Sequence, residues 1–343
     1  MKRYFSDPQL NFLVGINILI LVAATWLSHG AFLDVYNFQS MASQLPELGL
    51  LAIGVSLAMI AGNGGIDLSG VGMANLAGVV AAVATPLLVD GDASPWGYTG
   101  TFIGVALATG LIGGLLNGFL IARVGLTPIL CTLGTQLVFT GAAVVLSAGT
   151  SVRIAAVEPM STLGNENFYG VPIPFVIFMV LLLAVGWLLR FSPFGIRLFL
   201  LGTNAKAARY AGIPGERMLL STYVISALLA SVAGIIIAAR TASVKSDYGT
   251  SYLLIAILIA VMAGVRPQGG YGRMVCLFFS AMALQLLSST FNLLDISNFF
   301  RDCAWGLLLL LFLASARIDL AQFFSPRTSA TPHQPPPGPA HNR

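Results

Sequence analysis

The chain has 343 residues, of which 57% are hydrophobic and 9% are charged, whereas typical soluble domains have about 25% charged residues. This much apolar surface cannot be hidden inside a water-soluble globule, so part of the outer surface must contact lipid. The 17 Lys and Arg and 13 Asp and Glu give a net charge of only +4, and the basic residues are scattered, which excludes a nucleic-acid-binding protein.

Apolar runs between polar, Gly or Pro breaks predict an all-α, polytopic integral membrane protein with about ten transmembrane helices. A spanning helix needs about 20 mostly apolar residues to cross about 30 Å of hydrocarbon. The first run is interpreted as a retained span and not as a cleaved signal, because it is long and ends in a poor cleavage site. The candidate spans are 11–29, 45–62, 70–89, 101–122, 128–148, 172–190, 218–239, 251–265, 273–290 and 299–316.

The basic residues predict the orientation, because Lys and Arg near span ends are retained on the cytoplasmic side. With ten spans and a cytoplasmic N-terminus, 13 of the 17 basic residues fall on the inner side. The other four, Arg153, Arg240, Lys245 and Arg301, fall in outer loops. Both termini are therefore expected in the cytoplasm.

The spans divide the chain into three regions. Residues 1–10 are a cytoplasmic N-terminus, residues 11–324 form the transmembrane domain, and residues 325–343 form a Pro-rich tail expected to be disordered. The longest hydrophilic outer segment, 149–171, is a candidate surface for an external partner.

Residues 62–72 interrupt two apolar spans with several glycines and one carboxylate, Asp67. Glycine permits non-helical backbone, which is tolerated at membrane depth only where protein buries it or where it lines a watery cavity. A helix broken within the membrane would place Asp67 beside a transport pathway. A tight inner turn would instead let Asp67 cap the next helix through its first free backbone amides. Both interpretations fit the sequence, and they are compatible.

Residues 191–217 form the longest inner loop, with a short helix at its centre. Asn204 suits the N-cap, and Gly212 suits the position after the C-cap. The small side chains of Ala207 and Ala208 would let another protein surface approach closely. A basic helix lying on the lipid headgroups is the alternative, and from physical chemistry alone it is the more common arrangement.

Catalytic and metal-binding patterns are missing from the sequence. The three cysteines, Cys131, Cys276 and Cys303, lie in apolar runs without a CxxC pair, and there are only three histidines. No GxxxxGK[ST] nucleotide-binding loop occurs, so the chain is not expected to hydrolyse nucleotide. We therefore expect neither an enzyme nor a bound metal or cofactor.

Several short motifs together resemble the permease subunits of the ribose and autoinducer-2 class of bacterial ABC importers. The order and spacing match from about residue 45 to residue 319. The motifs are GGIDLS at 64–69, GLLNG at 114–118, TPILCTLGT at 127–135, GVPIPF at 170–175, PFG at 193–195 and GTNAKAARYAGI at 202–213.

The resemblance implies a transmembrane subunit in the bacterial inner membrane with three protein partners. These are an extracytoplasmic sugar-binding protein, a second permease subunit and a cytoplasmic ATPase that seats against residues 202–212. The implied coupling residues are Gly202, Asn204, Ala205, Ala207, Ala208, Arg209 and Gly212. The implied pathway or structural residues are Gly64, Gly65, Asp67, Ser69, Asn117, Thr127, Pro128, Thr132, Gly134 and Thr135.

The chain departs from the family pattern at three places. These are GVG at 70–72, LLIAI at 253–257 and GVRPQGG at 264–270. They leave the architecture unchanged but bear on the substrate, which is expected to be a monosaccharide or a similar small sugar derivative. The alternatives are an ion-coupled secondary transporter, with Asp67 carrying the ion, and an ABC permease for branched-chain amino acids.

Overall fold

The computed structural model describes residues 7–315, and this part of the chain is mostly helical. The predicted tail at 325–343 and the first six residues lie outside the described part. The first elements are α1 (Pro8–Leu27), a 3-10 turn (Ala31–Leu33), α2 (Val35–Ile60), α3 (Gly70–Leu88), α4 (Pro95–Ala122), α5 (Pro128–Ser147), β1 (Val152–Arg153) and α6 (Glu158–Asn165). There follow β2 (Asn167–Phe168), β3 (Val171–Pro172), α7 (Ile173–Phe191), α8 (Pro193–Thr203), α9 (Ala205–Tyr210), α10 (Gly215–Thr241), β4 (Ser243–Val244), α11 (Tyr252–Met262), α12 (Met274–Leu293) and α13 (Asn298–Ser315).

Eight helices of the described part are long and apolar enough to cross a membrane, which confirms the all-α polytopic fold. They are α1, α2, α3, α4, α5, α7, α10 and α12, and each coincides with a predicted span. The predicted span 299–316 corresponds to the 18-residue helix α13. The predicted span 251–265 corresponds to α11, which has only 11 residues. At about 1.5 Å per residue, α11 crosses little more than half of the hydrocarbon.

Helices α2 and α10 form the centre of the bundle. Both are buried along most of their length, and they pack against each other. Around this pair, α10 also contacts α3 and α4, whereas α2 contacts α7, α11 and α12. Helices α1, α4, α5 and α7 expose large apolar side chains on their outer faces, as expected where helices contact lipid.

The two ends of the bundle differ. We call the end that contains the start of α1 and helix α9 the inner end, and the end that contains α6 the outer end. Two short antiparallel ladders lie at the outer end: β1 pairs with β4, and β2 pairs with β3. Helix α6 packs there against α10, and the Asn165 amide donates to the carbonyl of Ala239 at 3.3 Å.

Candidate functional site

The turn between α2 and α3 carries the predicted carboxylate Asp67 into the interior, where it is 2% exposed. Gly62, Asn63 and Gly64 all have positive φ, so the chain reverses sharply after α2. Asp67 Oδ1 accepts hydrogen bonds from the backbone N–H of Ser69 at 2.9 Å and from its hydroxyl at 2.6 Å. The chain therefore folds back on the carboxylate before α3 begins.

Two further helices complete the hydrogen bonding of this turn. Ser226 of α10 donates its hydroxyl proton to Asp67 Oδ2 at 2.6 Å. Asn117 of α4 donates to the Ser69 hydroxyl at 2.8 Å, and this hydroxyl in turn donates to Asp67. A carboxylate that accepts three hydrogen bonds is well satisfied in the interior.

Helix α5 holds the other side of the turn through Thr132. Its hydroxyl accepts the backbone N–H of Leu68 at 3.1 Å and lies within hydrogen-bonding distance of the carbonyls of Ile66 at 3.1 Å and Pro128 at 2.8 Å. One turn later, Gln136 Oε1 accepts the N–H of Gly72 at 2.9 Å. The site thus joins α3, α4, α5 and α10.

Not all of the predicted pathway residues take part. Asp67, Ser69, Asn117 and Thr132 come together, and Gly65 lies in the turn where a side chain would collide with the carbonyl of Ala58. Pro128 occupies the first turn of α5, and Thr135 bonds its own helix at the Thr132 carbonyl. Gly64 and Gly134 each have open space where a side chain would stand, and Thr127 precedes α5 without a side-chain cap hydrogen bond.

The structure does not confirm the prediction that Asp67 caps α3 through its first-turn amides. The residue before α3 is Ser69, and its side chain makes no cap hydrogen bond. Asp67 binds the amide of Ser69 itself, one residue before the helix, and two hydroxyls supply its remaining bonds. The carboxylate therefore ties helices together more than it caps one.

A small cavity of about 10 Å³ lies beside Asp67, between α2, α3, α10 and α11. Its polar lining comes from Asp67 and Ser226, whereas Leu51, Val55 and Leu253 contribute apolar surface. This volume holds one water molecule at most. The space between these four helices is therefore closed to any solute larger than water.

A second buried carboxylate, Glu47 of α2, was missed by the sequence prediction. Glu47 is fully buried, and Arg240 in the last turn of α10 forms an ion pair with its Oε1. The hydroxyls of Tyr248 and Tyr252 each donate to Oε2 at 3.3 Å. We call these four residues the Glu47 cluster. The sequence prediction assigned Arg240 to an outer loop and placed Glu47 inside the span 45–62.

The predicted docking segment forms α9 at the inner end. Asn204 caps it as predicted, accepting the N–H of Ala207 at 3.0 Å, and Gly212 follows it with a φ of +73°. The prediction is wrong for Ala208, which is 3% exposed and packs with Leu201 and Met218 inside the protein. The exposed residues of α9 are Ala205, Lys206, Ala207, Arg209 and Tyr210.

Glycines join α9 to the bundle. Gly202, just before α9, is buried, and a side chain there would collide with the carbonyl of Ile60 and the amide of Gly270. Gly62 lies against Gly202 in turn, and the Gly270 N–H donates to the Ile60 carbonyl at 3.0 Å. We call Gly62, Gly202, Gly269 and Gly270 the glycine junction. It brings the ends of α2 and α8 and the turn before α12 into backbone contact.

The fold and these sites can be compared with known families. A family described as "Branched-chain amino acid transport system / permease component" matches residues 37–314. The chain belongs to this family. The resemblance found in the sequence motifs is therefore confirmed, and we refer to the protein below as the permease.

Curated relatives match most of the permease's length. The ribose import permease protein RbsC of Bacillus subtilis is 30% identical, covering 90% of the permease and 94% of the relative. The L-arabinose transport system permease protein AraH of Escherichia coli is 32% identical, covering 88% of each chain. The autoinducer 2 import system permease protein LsrD of Yersinia enterocolitica is 28% identical, covering 86% of the permease and 87% of the relative.

The two buried carboxylates of the permease link different segments of the bundle. Asp67 and Glu47 are both satisfied by donors from other segments. Within residues 7–315, no group of three or more His, Cys, Asp and Glu side chains could hold a metal ion.

Proposed function

We propose that the permease is the transmembrane subunit of an ATP-driven importer that passes a monosaccharide, or a similar small sugar derivative, into the bacterial cytoplasm. The relatives that support this proposal are named for ribose, L-arabinose and autoinducer 2. Family membership favours this function over the ion-coupled alternative. A branched-chain amino acid substrate is tested by comparing uptake of D-ribose and L-arabinose with uptake of L-leucine.

The importer requires three protein partners in this proposal. A cytoplasmic ATPase supplies the energy, and a second permease subunit, identical or related, completes the pathway in the inner membrane. A soluble sugar-binding protein docks at the outer end, where α6 and the hairpin β2–β3 form the surface. Lipid covers the apolar outer faces of α1, α4, α5 and α7.

The exposed face of α9 is the observation that carries the proposal. Tyr210 is 94% exposed at the end of this helix, and Lys206 lies one turn before it. Exposed aromatic residues that become buried on binding dominate the energetics of protein interfaces. Because Ala208 faces inward, we assign the ATPase contact to Tyr210 and the short side chain of Ala207 beside it.

The test is the replacement Tyr210→Ala, with Tyr169→Ala as a matched control. Tyr169 is 93% exposed, but it lies at the outer end in the β2–β3 hairpin. Loss of a hot-spot aromatic costs about 2 kcal/mol or more, so Tyr210→Ala should retain less than about a tenth of the ATPase in pull-down from mild detergent. ATP-driven uptake should fall in parallel, while the amount of permease in the membrane stays unchanged.

A helix that only lies on lipid headgroups predicts a different result. Removing Tyr210 would then weaken lipid contact without affecting the complex. Stoichiometric ATPase and normal uptake in Tyr210→Ala would contradict the assignment of α9 as the ATPase seat. The Tyr169→Ala variant should keep its ATPase in either case.

A further inference from the structure

The segment between α10 and α11 lies at membrane depth. Helix α11 has 11 residues and is therefore about 16 Å long. Its last residue, Met262, lies at the inner end, where the Met262 carbonyl accepts the Gln9 amide of α1 at 2.7 Å. Since the hydrocarbon is about 30 Å thick, Tyr252 at the other end of α11 reaches only mid-membrane. Residues 242–251 therefore cover the outer half of the span without forming a helix.

One side of this segment is anchored in the protein. Val244 and Ser246 are buried, and Asn75 of α3 donates to the carbonyls of Ser246 at 3.1 Å and Tyr248 at 2.9 Å. The Tyr248 hydroxyl donates to Glu47 Oε2 at 3.3 Å. The polar groups of α2 and α3 thus fix the segment in position.

The opposite side of the segment is polar and exposed. Lys245 and Asp247 alternate with the buried residues, and Thr250 is also exposed. Neither Lys245 nor Asp247 forms an ion pair within the described residues. Against lipid, such charged side chains and irregular backbone would cost several kcal/mol, so they occur at this depth only where protein or a water-filled cavity covers them.

We propose that residues 245–251 line the translocation pathway and that Asp247 and Thr250 hydrogen-bond the hydroxyl groups of the passing sugar. This proposal rests on the proposed function and names the surface that the sugar meets. A carboxylate accepts from sugar hydroxyls, whereas a threonine hydroxyl both donates and accepts. The adjacent Ser251 donates to Asp302 of α13 at 2.9 Å, which extends the polar wall onto a second helix.

A few weak hydrogen bonds to the sugar are suitable for a translocation pathway. A hydrogen bond contributes about 1 kcal/mol net, so two side chains guide a sugar without holding it. Glu47 and Arg240 do not touch the sugar in this arrangement. Glu47 positions the segment by accepting a hydrogen bond from the Tyr248 hydroxyl.

The first test measures accessibility in the assembled importer. Asp247→Cys is compared with Leu137→Cys, a 70% exposed position in the middle of α5 that is expected to face lipid. Both variants also carry Cys303→Ser, because Cys303 is exposed whereas Cys131 and Cys276 are buried. A charged methanethiosulfonate reagent should modify Asp247→Cys at least tenfold faster than Leu137→Cys. Equal rates would overturn the proposal, because they would mean that lipid or the second subunit covers the segment.

The second test measures sugar contact. Asp247→Asn and Thr250→Val should each lower uptake of radiolabelled D-ribose or L-arabinose, whichever the unmodified importer takes up, by fivefold or more. ATPase retention and ATP hydrolysis should stay unchanged, so the ATP consumed per sugar rises by the same factor. Thr150→Val, an exposed position in the outer loop after α5, is the control and should behave as the unmodified chain.

The outcomes separate this proposal from the proposed function. Unchanged uptake and unchanged ATP consumption per sugar in both variants would refute the sugar contact while leaving an ATP-driven importer. Absence of ATP-driven sugar uptake in the unmodified importer would instead refute the proposed function. The accessibility test needs no sugar and decides in either case whether the segment faces water.

Discussion

Two buried carboxylates, Glu47 and Asp67, are stabilised in different ways. Glu47 forms an ion pair with Arg240 and also accepts bonds from two tyrosines, whereas Asp67 accepts bonds from one amide and two hydroxyls. The first arrangement depends on an opposite charge, and the second distributes the charge over neutral dipoles. Removing a partner should therefore have very different consequences at the two sites.

The largest effect is expected at the ion pair. Arg240→Met leaves Glu47 buried without its counter-charge, which should lower the free energy of unfolding by about 3–5 kcal/mol. The double variant Glu47→Gln/Arg240→Met removes both charges and keeps an acceptor for the tyrosines, so it should recover most of the loss. Titration with SDS in mixed micelles, followed by tryptophan fluorescence, measures the free energy of unfolding of both variants. A double variant no more stable than Arg240→Met would show that the unpaired charge of Glu47 does not cause the destabilisation.

A smaller effect is expected at the neutral site. Ser226→Ala takes away the hydroxyl that donates to Asp67 Oδ2, and the cost should be about 1–3 kcal/mol. Ser231→Ala on the same helix is the matched control, because that buried hydroxyl donates to the Ala227 carbonyl of its own helix. The same SDS titration compares them. Equal destabilisation by the two changes would argue against a special contribution from the carboxylate contact.

The smallest effect is expected from Asp67→Asn. The amide keeps an acceptor for Ser69, and the Ser226 hydroxyl can rotate to accept from the new amide, so the loss should be about 1 kcal/mol. Sugar uptake should persist at least in part with an unaltered pH profile. Complete loss of uptake by a well-expressed Asp67→Asn would favour an ion-coupled transporter. So would uptake that collapses with an uncoupler while ATP is held constant.

The sequence predicted the positions of the helices better than the conformation of the segments that connect them. Hydrophobic runs identify where a helix is apolar enough to span, and eight predicted spans coincide with such helices. The run 251–265 has the same composition, but only Tyr252–Met262 is helical, and residues 246–251 before it form turns. Apolar composition cannot distinguish a full span from a half span preceded by an irregular segment.

At the candidate site, too, the sequence predicted some features and missed others. Asp67 was predicted because a carboxylate among glycines between two spans is unusual, and Asn204 was predicted because N-cap chemistry is local. Glu47 and Arg240 are 193 positions apart in sequence, and each stands near the end of an apolar run, so nothing local pairs them. Ala208 was assigned to the wrong face because a six-residue helix is too short for a periodic pattern to reveal its buried side.

The glycine junction couples α2 rigidly to α8 and α9. At the junction the backbones of Gly62, Gly202 and Gly270 contact each other without intervening side chains, so no rotamer change can absorb a displacement of α8 and α9. Glu47 stands 13 positions before Ile60 in the same unbroken helix, about 20 Å along its axis. The junction and the segment that carries Asp247 are therefore connected by one continuous helix and by the hydrogen bond that the Tyr248 hydroxyl donates to Glu47.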